Sequence, residues 1–233
     1  NAEKETVKSF VRGIVEACKE NECALVGGET SIQPQVVEKG VYILTSSIAG
    51  ILSRKAIIDG SAIKEGDTVL AVASNGLHTN GYSLVRMLMD KMKQLKLDKV
   101  DGETFIEQIM KVHTPYYKAI RTIKDRVHGM AHITGGGIEG NLSRIIPEGL
   151  CAEIDLSKIR TLPIFDYIKR IGSIEEEEML STFNCGAGLM IVTGIEDAAD
   201  VINKVKRYYD CYEVGTVMPG SRKILFQEHL HFG

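Results

Sequence analysis

The chain has 233 residues, 44% of them hydrophobic and 25% charged, with a formal net charge of -3, which is enough for one large core or two smaller globular domains. With no basic excess and no run of Lys or Arg, nothing supports nucleic acid or an anionic membrane as a main partner, and small molecules are expected instead. Five cysteines without a paired CxxC spacing argue against a disulfide framework or a structural zinc site and predict a reducing, cytoplasmic setting, and no apolar run reaches membrane-spanning length.

In chain order, Val7, Phe10, Val11, Ile14, Val15 and Cys18 recur at helical spacing and predict an opening helix. "CALVGGETS" reads as a short buried strand entering a glycine turn, and "VYILTSSIAGIL" as a longer strand rich in β-branched residues. One helix and two strands cannot enclose a core, so the first 52 residues are expected to join a sheet supplied from elsewhere. "DTVLAVAS" is the next buried strand, followed by a helix whose apolar face is Leu84, Val85, Leu88, Met89 and Met92. Helices follow at 103–111 and 115–126, the second opened by Pro115 at its first turn. "LCAEIDL" and "AGLMIVTG" predict strands, 163–171 and 197–209 helices, and "YEVGTVM" with "KILF" a closing strand pair. Glu175 to Glu178 reads as a solvated helix start. The fold class is a mixed α/β (α+β) one, with helices packed on a mixed sheet.

Two loops carry the chemistry. In "MAHITGGGIEGNL", Thr134, Gly135, Gly136 and Gly137 stand between an apolar strand and a helix, where bare backbone N–H groups can meet a phosphate; the same glycines also suit a tight turn between closely packed elements. "ASNGLHTNGYSLV" gathers Ser74, Asn75, His78, Thr79 and Asn80 around Gly76 and Gly81, again after a strand and before a helix. Two such loops at the carboxyl ends of strands can converge on one ligand. Thr79, Asn80 or Ser83 equally suit helix capping, and His78 fits either capping support or ligand contact. "TFNCGAG" offers Asn184 and Cys185; with no base near it, Cys185 reads as a small core residue.

"ALVGGET", "GLHTNGYSLVR", "AHITGGGIEGNL" and "TFNCGAG", in this order and with "IIDGSAIKEGD" between the first two, resemble the aminoimidazole ribonucleotide synthetases, or phosphoribosylformylglycinamidine cyclo-ligases. The resemblance starts inside that family's N-terminal domain. It therefore implies a remnant of the ATP-binding domain over 1–52 and a C-terminal synthetase domain over 53–233, the C-terminal part of a two-domain synthetase-type fold.

The reaction it implies is an ATP-dependent ring closure in purine biosynthesis. The amide oxygen of formylglycinamidine ribonucleotide is activated by phosphorylation, and an internal nitrogen displaces phosphate to give aminoimidazole ribonucleotide, ADP and phosphate. ATP and Mg are the implied cofactors, and a homodimer through the N-terminal domains the implied assembly. His132 and Glu29 are the implied catalytic residues, while Ser74, Asn75, His78, Asn80, Thr134, Gly135, Gly136, Gly137 and Asn184 would bind substrate or phosphate. A neutral His132 could polarise or protonate the amide and a cationic one could meet phosphoryl charge; a buried histidine satisfied by backbone is the alternative.

Two positions depart from the family pattern. "GGETSIQPQ" stands for the usual "GGETAEMPG", and Pro115 in "VHTPYYK" occupies the place of an arginine, so that either Lys118 or His113 substitutes for its charge or substrate binding differs. The family's upstream nucleotide and metal motifs have no counterpart here, so this chain alone is expected not to cyclise its substrate. Other ATP-using members of the superfamily, of the selenophosphate synthetase or thiamine monophosphate kinase type, and a non-catalytic phosphate-binding fragment are the competing readings.

Overall fold

A computed structural model describes residues 3–33 and 35–232; Pro34, within the "GGETSIQPQ" stretch, lies outside them. The chain divides into two compact units, Asn1–Ala56 and Ile57–Gly233.

In the first unit the predicted helix forms as α1 (Lys4–Glu20). Its apolar stripe is only partly covered: Phe10 meets Tyr42 edge-on with ring centroids 5.5 Å apart, and the Tyr42 hydroxyl accepts from the Glu3 amide at 3.2 Å. No described residue of α1 is buried. Neither expected strand is present, because 23–33 and 41–53 have no ladder partner among the described residues of this unit. β-branched composition favours a strand only where another strand takes up the backbone N–H and C=O groups. Val26 and Ile48 are accordingly 96% and 85% exposed.

The second unit is built on a six-stranded sheet. In chain order its elements are β1 (Thr68–Ala73), α2 (Tyr82–Lys91), the small hairpin β2 (Lys99–Val100) and β3 (Glu103–Thr104), α3 (Phe105–Ile109), α4 (Tyr117–Arg121), β4 (Gly129–His132) and α5 (Gly137–Leu142). Then come β5 (Leu150–Asp155), α6 (Pro163–Gly172), α7 (Glu176–Thr182), β6 (Ala187–Thr193), α8 (Ile195–Val205), β7 (Cys211–Pro219) and β8 (Ile224–Gln227). The sheet order is β4-β6-β1-β7-β5-β8. All neighbours are antiparallel except β5 and β8, so the sheet is mixed.

Both faces of the sheet are covered, which is why β1 reads as an unbroken apolar run. Side chains alternate across a strand: Val69 and Ala71 enter one core with Phe105, Ile138, Phe165 and Met190, while Leu70 and Val72 enter the other with Tyr116, Leu189, Ile191 and Val201. Each such fully buried aliphatic side chain contributes roughly 1.5–3 kcal/mol. Helices α2, α3, α5 and α6 cover the first face, and α4 and α8 the second.

Several boundaries differ from expectation for local reasons. The helix over 103–111 shortens to Phe105–Ile109, because Thr104 is its N-cap in a reciprocal capping box with Glu107 and therefore holds an extended conformation. Over 115–126 the helix runs Tyr117–Arg121 with Tyr116 as N-cap, which puts Pro115 before the first turn. The last two strands do not pair with each other; β5 lies between them. The charge cluster does begin a helix: Glu175 stands at the N-cap position of α7 without a side-chain cap bond, and Glu176, Glu177 and Glu178 form its first turn.

Candidate functional site

The strand order decides where the loops meet. β6 lies between β1 and β4 and is antiparallel to both, so β1 and β4 run in the same direction and end together where β6 begins. At this end Ala73 pairs with Ala187, and His132 with Leu189. Three segments therefore emerge side by side: 74–81 after β1, 133–136 after β4, and 184–186 before β6.

A hydrogen-bonded clasp fixes them. The Ser74 hydroxyl donates to Asn184 Oδ1 at 2.8 Å, the Gly186 amide donates to the same oxygen at 2.8 Å, and Asn184 Nδ2 donates to the Gly76 carbonyl at 2.9 Å. Ser74 and Asn184 are both buried, so these bonds keep their polar groups satisfied. Asn75 Nδ2 donates to the Val112 carbonyl at 2.8 Å and ties in the segment before α4. The Tyr116 hydroxyl donates to the Ala73 carbonyl at 2.9 Å. Gly188 on β6 makes room for this packing, since a Cβ there would stand 2.0 Å from the Tyr116 hydroxyl and 2.7 Å from His78 Cε1.

Within this frame three histidines gather. His78, in the left-handed conformation at φ 59°, lies buried with its ring stacked on His113 at a centroid distance of 3.9 Å. His113 Nε2 is 3.0 Å from His132 Nε2. His113 Nδ1 donates to the Thr114 carbonyl at 2.8 Å, so in the neutral tautomer of His113 its Nε2 is the acceptor and His132 Nε2 the donor of the pair. His78 Nε2 is 3.3 Å from Thr114 Oγ1, and its Nδ1 has no hydrogen-bond partner among the described residues. Burial, followed by the neighbouring His113 and His132, pushes the His78 pKa down to about 3. Partial desolvation of the otherwise exposed His132 ring, and then His113, also lower its pKa. Both rings are neutral at neutral pH, able to exchange a proton or offer a lone pair but not to supply a fixed positive charge.

The glycine loop is arranged differently from a bare anion cradle. The Gly136 amide donates to the Ser181 carbonyl at 2.9 Å and the Gly137 amide to the Thr134 carbonyl at 3.0 Å; the Gly135 amide takes no part in these bonds. Gly137 has φ 60°, and a Cβ on it would lie 1.6 Å from the Leu180 carbonyl oxygen. Close contact with the end of α7 thus explains one of the three glycines. Thr134 and Asn141 close the loop from within, the Thr134 hydroxyl donating to Asn141 Oδ1 at 3.1 Å. Asn80 Oδ1 would be 3.4 Å from a Cβ on Gly135, so the two loops face each other there.

Beside the histidines a cleft of about 210 Å³ is lined by Ser74, Asn75, Thr114, Pro115, Tyr209 and Asp210 among others. Cys185 is buried, with its thiol pushed up to about 12, chiefly by desolvation, and is no nucleophile. Lys118 is exposed on α4. Glu29 belongs to the first unit, where it is exposed. In the sequence His113 stands out only as a replacement for the family arginine's charge, and Thr114 and Tyr116 carry no mark of their own. The available signal was three histidines, each next to the end of a sheet strand or its covering helix, but reading it required the position of β6.

Comparison with known proteins agrees with this architecture. Among curated proteins, a phosphoribosylformylglycinamidine cyclo-ligase of Thermodesulfovibrio yellowstonii is 42% identical over 95% of this chain and 66% of its own length. One of Geobacillus kaustophilus is 37% identical over 93% of this chain and 64% of its own; the chain therefore spans just under two thirds of these relatives. Among solved structures, the hydrogenase maturation protein HypE of E. coli superposes with a TM-score of 0.60 at 16% identity, covering 99% of this chain and 69% of that one. The thiamine monophosphate kinase of Aquifex aeolicus gives 0.60 at 15% identity, covering 99% and 71%. At such identities the likeness is one of fold. Residues 1–52 match the family described as AIR synthase related protein, N-terminal domain, and residues 64–227 match its C-terminal domain; the chain belongs to the AIR synthase related protein family.

Proposed function

We propose that this chain is the larger part of a phosphoribosylformylglycinamidine cyclo-ligase, the enzyme that closes the imidazole ring of aminoimidazole ribonucleotide at the expense of ATP. The relatives at 37–42% identity carry that name. The observation that carries the reading is the histidine cluster at the meeting of the loops, in which His78 and His132 are held neutral. Ring closure asks for a proton donor and acceptor beside an amide while its oxygen leaves as phosphate, and it needs no protein nucleophile. His132 donates through Nε2 to His113, whose Nδ1 is anchored on Thr114. With that Nε2–H held on His113, a neutral His132 offers its other ring nitrogen to take the proton released by the attacking nitrogen and pass it to the departing phosphate.

Asn80, Thr134 and Gly135 would meet a ribose or phosphate group of the substrate, with Gly136 and Gly137 shaping the loop. Ser74, Asn75 and Asn184 hold the loops in register, and His78 backs His113. A catalytic role for Glu29, and assembly as a homodimer through the N-terminal domain, rest on family resemblance. ATP and magnesium would supply and polarise the transferred phosphoryl group. A nitrogen-only cluster does not fit magnesium, which prefers oxygen donors, and the histidines are not its ligands in this reading.

Turnover by the complete protein tests the proposal. With formylglycinamidine ribonucleotide, ATP and magnesium it should release aminoimidazole ribonucleotide, and His132→Ala should lower kcat by about 10²-fold or more with little change in KM, because proton transfer acts in the chemical step. A raised KM with kcat intact would reduce His132 to a binding group. No ring closure by the unaltered complete protein would overturn the reading.

A further inference from the structure

We propose that His78, His113 and His132 form a binding site for a divalent ion of the zinc, cobalt or nickel class. One ring nitrogen of each lies within 4.8 Å of those of the other two. Two nitrogens bound at about 2.0–2.1 Å to a tetrahedral ion stand roughly 3.3 Å apart, and His113 Nε2 and His132 Nε2 are already 3.0 Å apart.

The surroundings are those of a ligand set. The His113 Nδ1–H donates to the Thr114 carbonyl, which fixes the tautomer and aims an unprotonated Nε2 at the cluster, as outer hydrogen bonds do for metal-bound histidines. His78 is 5% exposed, and its Nδ1 has no hydrogen-bond partner among the described residues, an unusual state for a buried polar atom. His132 is exposed, leaving one side open to water or another ligand, as in three-ligand sites with a free position. Imidazole donors alone select zinc, cobalt or nickel over magnesium and calcium. Such an ion would compete with substrate for Nε2 of His132.

The test is a titration of the tag-free 233-residue chain, first stripped with chelator, with Co²⁺ followed by visible absorption. We expect saturation at one ion per chain with the intense bands of a four- or five-coordinate site, displacement by Zn²⁺, and none by excess Mg²⁺. His132→Gln and His113→Gln, with unchanged circular dichroism, should each weaken binding at least tenfold, whereas His229→Gln, at an exposed histidine paired with Glu176, should not. His78 is not used, since its replacement endangers folding. Absence of saturable uptake, uptake undiminished in both variants, or displacement by Mg²⁺ would overturn the proposal. Cobalt uptake is read without turnover, so this inference and the cyclo-ligase reading fail separately.

Discussion

Asn184 shows how much one side chain can carry. It accepts from Ser74 Oγ and the Gly186 amide and donates to the Gly76 carbonyl, all within the buried clasp. Asn184→Ala would leave those groups unsatisfied, at about 1–3 kcal/mol for a buried orphan, so a loss of roughly 2–4 kcal/mol is expected by urea unfolding; a change below about 1 kcal/mol would mean that water replaces the amide without cost. Its neighbour Cys185 gives a second expectation. Burial raises its thiol pKa to about 12, so thiolate is scarce at neutral pH, and Cys151 and Cys211 are buried as well. Native alkylation followed by mass spectrometry should label the half-buried Cys18 and Cys23 and spare Cys185; prompt labelling of Cys185 would show that the clasp opens readily.

At the level of elements, what could be read in the sequence was what local spacing determines. Helices α1 and α2 follow from apolar periodicity, the helices expected over 163–171 and 197–209 form as Pro163–Gly172 and Ile195–Val205, and β1 and β6 follow from continuous apolar runs covered on both faces. The glycine run was legible as a feature but not in its cause, because the Leu180 carbonyl that excludes a side chain at Gly137 comes from α7, more than forty residues away. Gly137→Ala should therefore destabilise by more than about 2 kcal/mol, combining a left-handed φ with a steric clash; a thermal midpoint within a degree of the parent would contradict that packing. The boundary at Thr104 was missed for the opposite reason, since its signal was purely local: Thr104 followed three residues later by Glu107 is a capping box. Thr104→Ala should cost about 1 kcal/mol. The Glu107 carboxyl is held below the ordinary glutamate range by the Thr104 side chain and backbone, so its contribution is present at neutral pH and fades as the pH falls through its lowered pKa.

For the whole molecule the two units make opposite predictions about stability. Convergence of His78, His113 and His132 depended on strand order, a long-range property that no local pattern encodes, and among the described residues strands occur only in the second unit. That unit holds the six-stranded sheet and both apolar cores, so its central amides, in β1 and β6 above all, should open only with global unfolding. In the first unit no described residue is buried, and its two strand-like stretches have no ladder among the described residues to protect their amides. Native-state hydrogen exchange should accordingly show 23–33 and 41–53 exchanging within seconds, α1 at intermediate rates, and β1 with β6 the slowest. Limited proteolysis should cut within 21–56 and leave a resistant fragment beginning near Ile57, which should unfold in one cooperative transition. Strong protection across 41–53 in the isolated chain would mean that this apolar stretch pairs, most directly with the same stretch of a second copy, since unpaired strand edges recruit partners. Dilution distinguishes the two cases: protection from self-association falls with concentration, whereas protection within one chain does not.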